Sequence, residues 1–340
     1  MQSYTKEFYN AQKEGSRRSA EIIIPLVLAL VKPQSVIDVG CGVGTWLSVF
    51  KKLGVEDVFG IDGEHVDRSM LEIPGEQFLA LDLSRPIQID RQFDLVVSLE
   101  VAEHLPKQCA KTFVESLTKL GSVSLFSAAI PFQGGTCHVN EQWPDYWANY
   151  FKENGYEVID CIRKKVWQDE NVDWWYAQNI LLFSRSDYLV DNPLLREEFE
   201  NTHSCQLSIV HPRKYLELIR IQLTAQDLSR LIPKADRFIL VDQEQLREVM
   251  ALGNQAIPFI ERDGQYWGPP PDDDTAMREL TRLRQSGAKF LVFTWPAFWW
   301  LDYYRDFHRT LRSQYHCVLK NERLLVFDLG GENERVKKHP

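Results

Sequence analysis

The stretch VIDVGCGVGTW (36–46) runs from apolar residues into Asp38, then through Gly40, Gly42 and Gly44 into a helical pattern. Glycines there let the backbone bend tightly and approach a ligand with no Cβ in the way. The helix start beyond them offers unpaired N–H groups. The following apolar runs finish in carboxylates: VFGID in Asp62, FLALDL in Asp82 with Leu83 beside it, and FDLVVSLE in Glu100. A carboxylate about 20 residues after such a loop can accept both hydroxyls of a ribose. The glycine spacing is GxGxG, not the GxGxxG of dinucleotide binding, which disfavours a nicotinamide-dependent dehydrogenase.

A second group of chemically able residues follows. Glu100, Glu103 and His104 stand in SLEVAEHLP, and His138 and Glu141 in GGTCHVNEQWP. An imidazole with a pKa near ~6.5 suits removal of a proton from a hydroxyl, which makes His138 the first choice of base and His104 the second. Alternatively Glu100, Glu103, His104 and His138 gather round a divalent cation that orients and acidifies an acceptor. The plain structural reading is that Glu103 caps a helix while His104 packs locally.

The order DxGxGxG, Asp62, Asp82, Glu100 resembles the class I S-adenosylmethionine-dependent methyltransferases over roughly residues 30–185. The resemblance implies that the loop at Gly40–Gly44 passes beside the methionine part of the cofactor, that Asp62 holds its ribose, and that Asp82 and Leu83 meet its adenine. ExxEH resembles the metal-binding segment of ubiquinone-pathway O-methyltransferases and of small-RNA 2′-O-methyltransferases. GSRRSA, SLEVAEHLP, GGTCHVNEQWP and WWYAQN look like a bacterial subgroup associated with surface polysaccharide or specialised-metabolite synthesis. The acceptor implied is a small molecule or glycan hydroxyl. Metal-assisted methylation of RNA is the competing enzyme reading, and a non-catalytic cofactor-binding scaffold is the competing class.

Elements must bring these residues to one place. Short apolar runs near 35–39, 57–61, 77–80, 93–98, 122–127, 156–162 and 178–184 alternate with helical patterns, which predicts a mostly parallel sheet. Leu105, Cys109, Phe113, Leu117 and Leu120 make one apolar stripe and predict a helix over 104–120, with Gly121 as a left-handed cap. The fold expected is therefore a Rossmann-like seven-stranded domain (1–190), a linker (191–210) and a smaller α/β domain (211–335). Tyr4, Phe8 and Tyr9 form either a lid over the cofactor or an anchor for the first helix. Trp174, Trp175 and Tyr176 wall an acceptor pocket or, as the better reading, fill a core.

In the second domain, helices are expected over 211–233 and near 243–252, and Asp272–Asp274 predict an N-terminal cap. DGQYWGPPPDDD and FLVFTWPAFWWLDYY resemble a small domain attached to bacterial glycan-modifying enzymes. A non-catalytic role is expected for it: glycan binding, a homodimer interface, or stabilisation. A formal charge of −9 argues against broad nucleic-acid binding. Six scattered cysteines without a CxxC pair suit free thiols in a reducing cytoplasm. The longest early apolar run, 22–31, contains Pro25 and has half the ~20 residues a membrane span requires.

Overall fold

The computed structural model describes residues 6–332 except 248–249 and 253–254; of 6–13 and 331–332 it describes the backbone alone. The chain divides into two compact units, Met1–Lys214 and Tyr215–Pro340.

The first unit opens with α1 (Lys6–Val31), β1 (Ser35–Val39), α2 (Thr45–Lys52), β2 (Asp57–Asp62), β3 (Phe78–Ala80) and β4 (Leu95–Leu99). It continues with α3 (Ala110–Leu120), β5 (Val123–Ser127), α4 (Pro144–Glu153), β6 (Tyr156–Ile159), α5 (Arg163–Val166), α6 (Trp174–Asn179), β7 (Leu181–Arg185), α7 (Ser186–Asp191) and α8 (Pro193–Glu200). The sheet order is β3-β2-β1-β4-β5-β7-β6. This is the seven-stranded Rossmann-like arrangement expected. Strands β1 to β5 run parallel, and β7 pairs antiparallel with both β5 and β6. β4 and β5 are buried along their whole length, as strands covered on both faces must be. Because β7 is reversed, its entry rather than its exit lies beside the ends of the parallel strands.

Two local expectations are corrected. The helix expected from 104 starts at Ala110, after two short 3₁₀ turns, Ala102–His104 and Lys107–Cys109. Pro106 explains the delay, since the residue before a proline is pushed out of helical geometry, and Leu105 sits at φ −91°, ψ 141°. Gly121 is extended at φ −175°, not left-handed. A glycine is needed there because a Cβ would run into the Phe93 carbonyl, with which residue 121 forms a bridge. The stretch 191–210 belongs to the first unit: Leu195 and Leu207 are buried, and Thr202 Oγ1 accepts from the Asp160 amide at 3.0 Å.

α9 (Pro212–Leu231) leads into the second unit. There follow β8 (Arg237–Val241), β9 (Ala256–Pro258), β10 (Glu261–Arg262), β11 (Gln265–Tyr266), α10 (Asp273–Gln285), β12 (Ala288–Thr294), α11 (Trp300–Tyr303), α12 (Arg305–Gln314), β13 (Tyr315–Lys320) and β14 (Leu324–Glu332). Its main sheet runs β13-β14-β12-β8-β9. Asp272 caps α10 by accepting from the Thr275 amide at 2.7 Å. Among the described residues of 243–252 no helix forms; Asp242 instead accepts from the amides of Glu244, Leu246 and Arg247 and holds a turn.

Where β7 meets α4, Phe183 stacks on Phe151 with ring centres 3.9 Å apart, and Phe126 packs edge-on to both. Phe183 and Phe151 have no exposed surface. Phe183→Ala is expected to cost about 3–5 kcal/mol, the usual effect of emptying a packed aromatic site. Denaturant unfolding monitored by circular dichroism checks this; a loss below about 1 kcal/mol contradicts the packing described.

Candidate functional site

The glycine loop sits where β1 leaves the sheet. Gly40, Gly42 and Gly44 have φ of 89°, 54° and 84°, a region in which a side chain is strained. Each glycine also has its own surroundings. A Cβ on Gly40 would collide with the Val101 side chain, and one on Gly44 would press on Ile73, whereas one on Gly42 would meet no atom within 4 Å. The open side of the loop is therefore at Gly42. Gly44 stands at the N-cap of α2 with no side chain bonding the helix end, so donors there remain available to a ligand.

Asp62, at the end of β2, is fastened to this loop. One carboxylate oxygen accepts from the Gly42 amide at 2.7 Å and the other from the Gly63 amide at 2.6 Å. A carboxylate has about four acceptor positions, so two stay free. Asp38, at the end of β1, is buried; desolvation, then the charge of Asp62, pushes its carboxyl well above the usual range. Asp82 is exposed and accepts from the Ser84 amide and hydroxyl, at 3.0 and 2.6 Å, with Arg85 at 3.2 Å. These Ser84 bonds, followed by Arg85, hold it below the usual carboxylate range. Leu83 is buried beside it.

Beyond β4 the chain makes a sharp exit. Glu100 has φ 54°, and its amide donates to the Ser127 carbonyl at 3.0 Å, tying the exit to the end of β5. Its carboxylate takes Asn179 Nδ2 at 3.0 and 3.3 Å and Gln133 Nε2 at 3.0 Å. Burial pushes the Glu100 carboxyl up, and bonds from Asn179, Ser127 and Gln133 oppose that. Glu103 has no exposed surface; Oε1 accepts from the Ala129 amide at 3.2 Å, and Oε2 is buried with no partner. Desolvation first, then the charge of Glu100, push its carboxyl well up.

The Glu103 carbonyl accepts from the amides of Val139 and Asn140 at 2.9 and 3.0 Å, so residues 138–140 are drawn onto it. His138 Nδ1 meets Glu141 Oε1 at 2.9 Å, and the same oxygen takes the Gly134 amide at 2.7 Å. The ring lies so close to Gly135 that a Cβ there would strike it. His104 crosses His138 edge to face with ring centres 4.8 Å apart. Partial burial, then His138, lower the His104 pKa, so its imidazole is neutral at pH 7.

Glu103, His104 and His138 thus offer ligand atoms within 4.8 Å of one another. Glu100 stands outside that group, its oxygens engaged by amides. The aromatic stretch divides: Tyr176 is buried and bonds Ser16 of α1 at 3.2 Å, while Trp174 and Trp175 are half-buried. Tyr4 and the side chains of Phe8 and Tyr9 lie outside the described residues. A cavity of about 770 Å³, lined by residues including Asp160, Arg163, Trp167 and His203, contains none of these site residues.

Sequence reading missed Gln133, Gln178 and Asn179. The usable signal was indirect: a carboxylate ending a buried strand requires donors, and only a few amides occur in the loops that reach it.

Gly42→Ala separates a binding role from a folding one. The variant is expected to lose about 1–2 kcal/mol of stability through its left-handed backbone, and to lose S-adenosylhomocysteine binding by calorimetry. A second expectation concerns pH. Glu103 has a raised folded-state pKa, so its contribution is present below its ordinary value of 4.5 and is lost as pH rises through the folded value. Melting temperature should therefore fall more steeply as pH rises above about 4.5 in the natural protein than in Glu103→Gln; equal slopes contradict it.

Residues 11–179 match the family model described as a methyltransferase domain. No curated protein matches the chain. Among solved structures, the chain is similar to magnesium protoporphyrin IX methyltransferase of Synechocystis PCC 6803 with bound S-adenosylhomocysteine, at 20% identity over 52% of this chain and 88% of that one, with a TM-score of 0.38. It is also similar to DesVI of Streptomyces venezuelae (16%; 53% and 96%; 0.41). A third is an amino pentose methyltransferase of Micromonospora echinaspora, bound to S-adenosylmethionine (13%; 55% and 100%; 0.40). By the family match, residues 11–179 within the first unit carry a methyltransferase domain.

Proposed function

We propose that the first unit transfers the methyl group of S-adenosylmethionine to a hydroxyl of a small molecule or glycan. The donor site is supported by the open face of Gly42 and by Asp62, whose two free acceptor positions suit vicinal ribose hydroxyls. When bound, the donor supplies a methyl group already activated on a sulfonium.

The observation that carries the acceptor chemistry is the His138–Glu141 pair at the rim next to the β4 exit. Glu141 orients the ring through Nδ1 and stabilises it once protonated, as a carboxylate partner does for an imidazole base. His138 Nε2 then takes the acceptor's proton as the carbon–oxygen bond forms and the carbon–sulfur pair returns to sulfur. Glu100, Glu103 and neutral His104 shape the space in which the hydroxyl is held; much of the remaining acceleration comes from that positioning. The second unit serves a non-catalytic role, as a glycan-binding or self-associating module. Among the described residues no helix is long and apolar enough to cross a membrane.

One observation favours a second reading. The unpartnered Glu103 Oε2, with His104 and His138 around it, is a donor set that suits a divalent cation. In that case these three residues hold the ion, His138 is a ligand and not a base, and the acceptor extends to RNA 2′-hydroxyls.

Calorimetry with S-adenosylhomocysteine, before and after EDTA and with Asp62→Ala, tests the donor site: micromolar binding lost in the variant is expected, and no binding by the folded natural protein refutes it. For the acceptor chemistry, His138→Ala should lower transfer of labelled methyl from S-adenosylmethionine to hydroxylated acceptors by about 10²–10⁴-fold while donor binding is kept. Transfer abolished by EDTA and restored by Mg²⁺ or Mn²⁺ selects the metal reading instead.

A further inference from the structure

We propose that Asn179 and Gln133 are positioning residues that hold the Glu100 carboxylate as the seat for positive charge on the methyl donor. The inference rests on the donor reading above.

The geometry is unusually determined for three neutral amides. Asn179 Nδ2 spans both oxygens of Glu100, and Gln133 Nε2 adds a third contact. The orientation of each amide is fixed from behind. Gln133 Oε1 accepts from Asn179 Nδ2 at 2.9 Å, from Gln178 Nε2 at 3.1 Å and from the Ile130 amide at 3.2 Å. Asn179 Oδ1 accepts from Gln178 Nε2 at 3.0 Å, and Gln178 Oε1 accepts from the His211 amide at 2.7 Å. Flipping any one amide would set oxygen against oxygen, so nitrogen is compelled to face Glu100. Gln133, Gln178 and Asn179 are all buried, whereas Glu100 is part-exposed.

Three amide contacts leave about one of the four acceptor positions of the Glu100 carboxylate for a further donor or charge. Its neighbour in the chain, Val101, packs against Gly40 of the donor loop. Tyr176, buried and bonded to Ser16, meets the ring of Trp46, at the start of α2, with centres 5.2 Å apart. The backbone supports the same conclusion: a non-glycine residue at φ 54° is strained, and such strain persists where its surroundings over-determine it.

S-adenosylmethionine offers two positive groups, the sulfonium and the ammonium of its amino-acid part. S-adenosylhomocysteine keeps only the ammonium, and 5′-methylthioadenosine has neither. Calorimetric titration of the full chain with all three, in the natural protein and in Asn179→Leu, Gln133→Met and Glu100→Gln, tells these sources apart. The expected result is a loss of about tenfold or more for S-adenosylmethionine in all three variants, with methylthioadenosine unchanged. An equal loss for S-adenosylhomocysteine assigns the seat to the ammonium; its retention assigns the seat to the sulfonium. The proposal is overturned if all three probes weaken together, which is the mark of a merely structural role, or if none weakens. Should the two amide variants fail to fold, Glu100→Gln, which keeps the shape of the side chain, decides the same question. Failure of the natural protein to bind any of the three refutes the donor reading itself.

Discussion

Four carboxyl groups stand at one edge of the first sheet, and the cost of taking negative charge out of water governs everything built around them. An unpaired buried carboxylate is expensive enough to be neutralised or to be given donors. Each strand end meets that demand differently. Asp62 takes backbone amides from the glycine loop, which also fixes the loop's shape. Glu100 takes side-chain amides from two distant segments. Asp38 and Glu103 lack comparable sets, and burial pushes both toward the protonated form. The glycine loop, the β4 exit and the 128–141 segment are held in place by these donations.

Much of the proposed donor half was legible in the sequence, because its residues follow one another at fixed offsets. Asp38, the three glycines and Asp62 lie within 25 residues and act through backbone conformation, which residue type alone announces. The acceptor half was legible only in part. His138 and Glu141 are neighbours in sequence, and their pairing at 2.9 Å follows from a local turn. The amide lattice joins residues 33, 45 and 79 positions apart. No periodicity marks such contacts: in WWYAQN it is Asn179 that meets the carboxylate, with Gln178 behind it. The late start of α3 was readable from Pro106, but the apolar stripe outweighed it.

The second unit's aromatics separate by burial. Trp300, Phe307, Phe293 and Phe259 fill its core, with Tyr304 bonded to the Pro270 carbonyl. Trp299 and Tyr303 remain 40% and 67% exposed with ring centres 5.6 Å apart. One short motif thus contributes to both folding and surface, and composition alone did not distinguish the two.

The reversed β7 has a wider meaning. In a wholly parallel sheet every segment at the working edge is the end of a strand, so altering it disturbs the helix that follows. Here Gln178 and Asn179 arrive from a short helix that enters the sheet, and the stretch before it carries little of the donor machinery. The side chains of this entering segment are therefore placed by the strand that follows them, not by a helix that must leave the sheet.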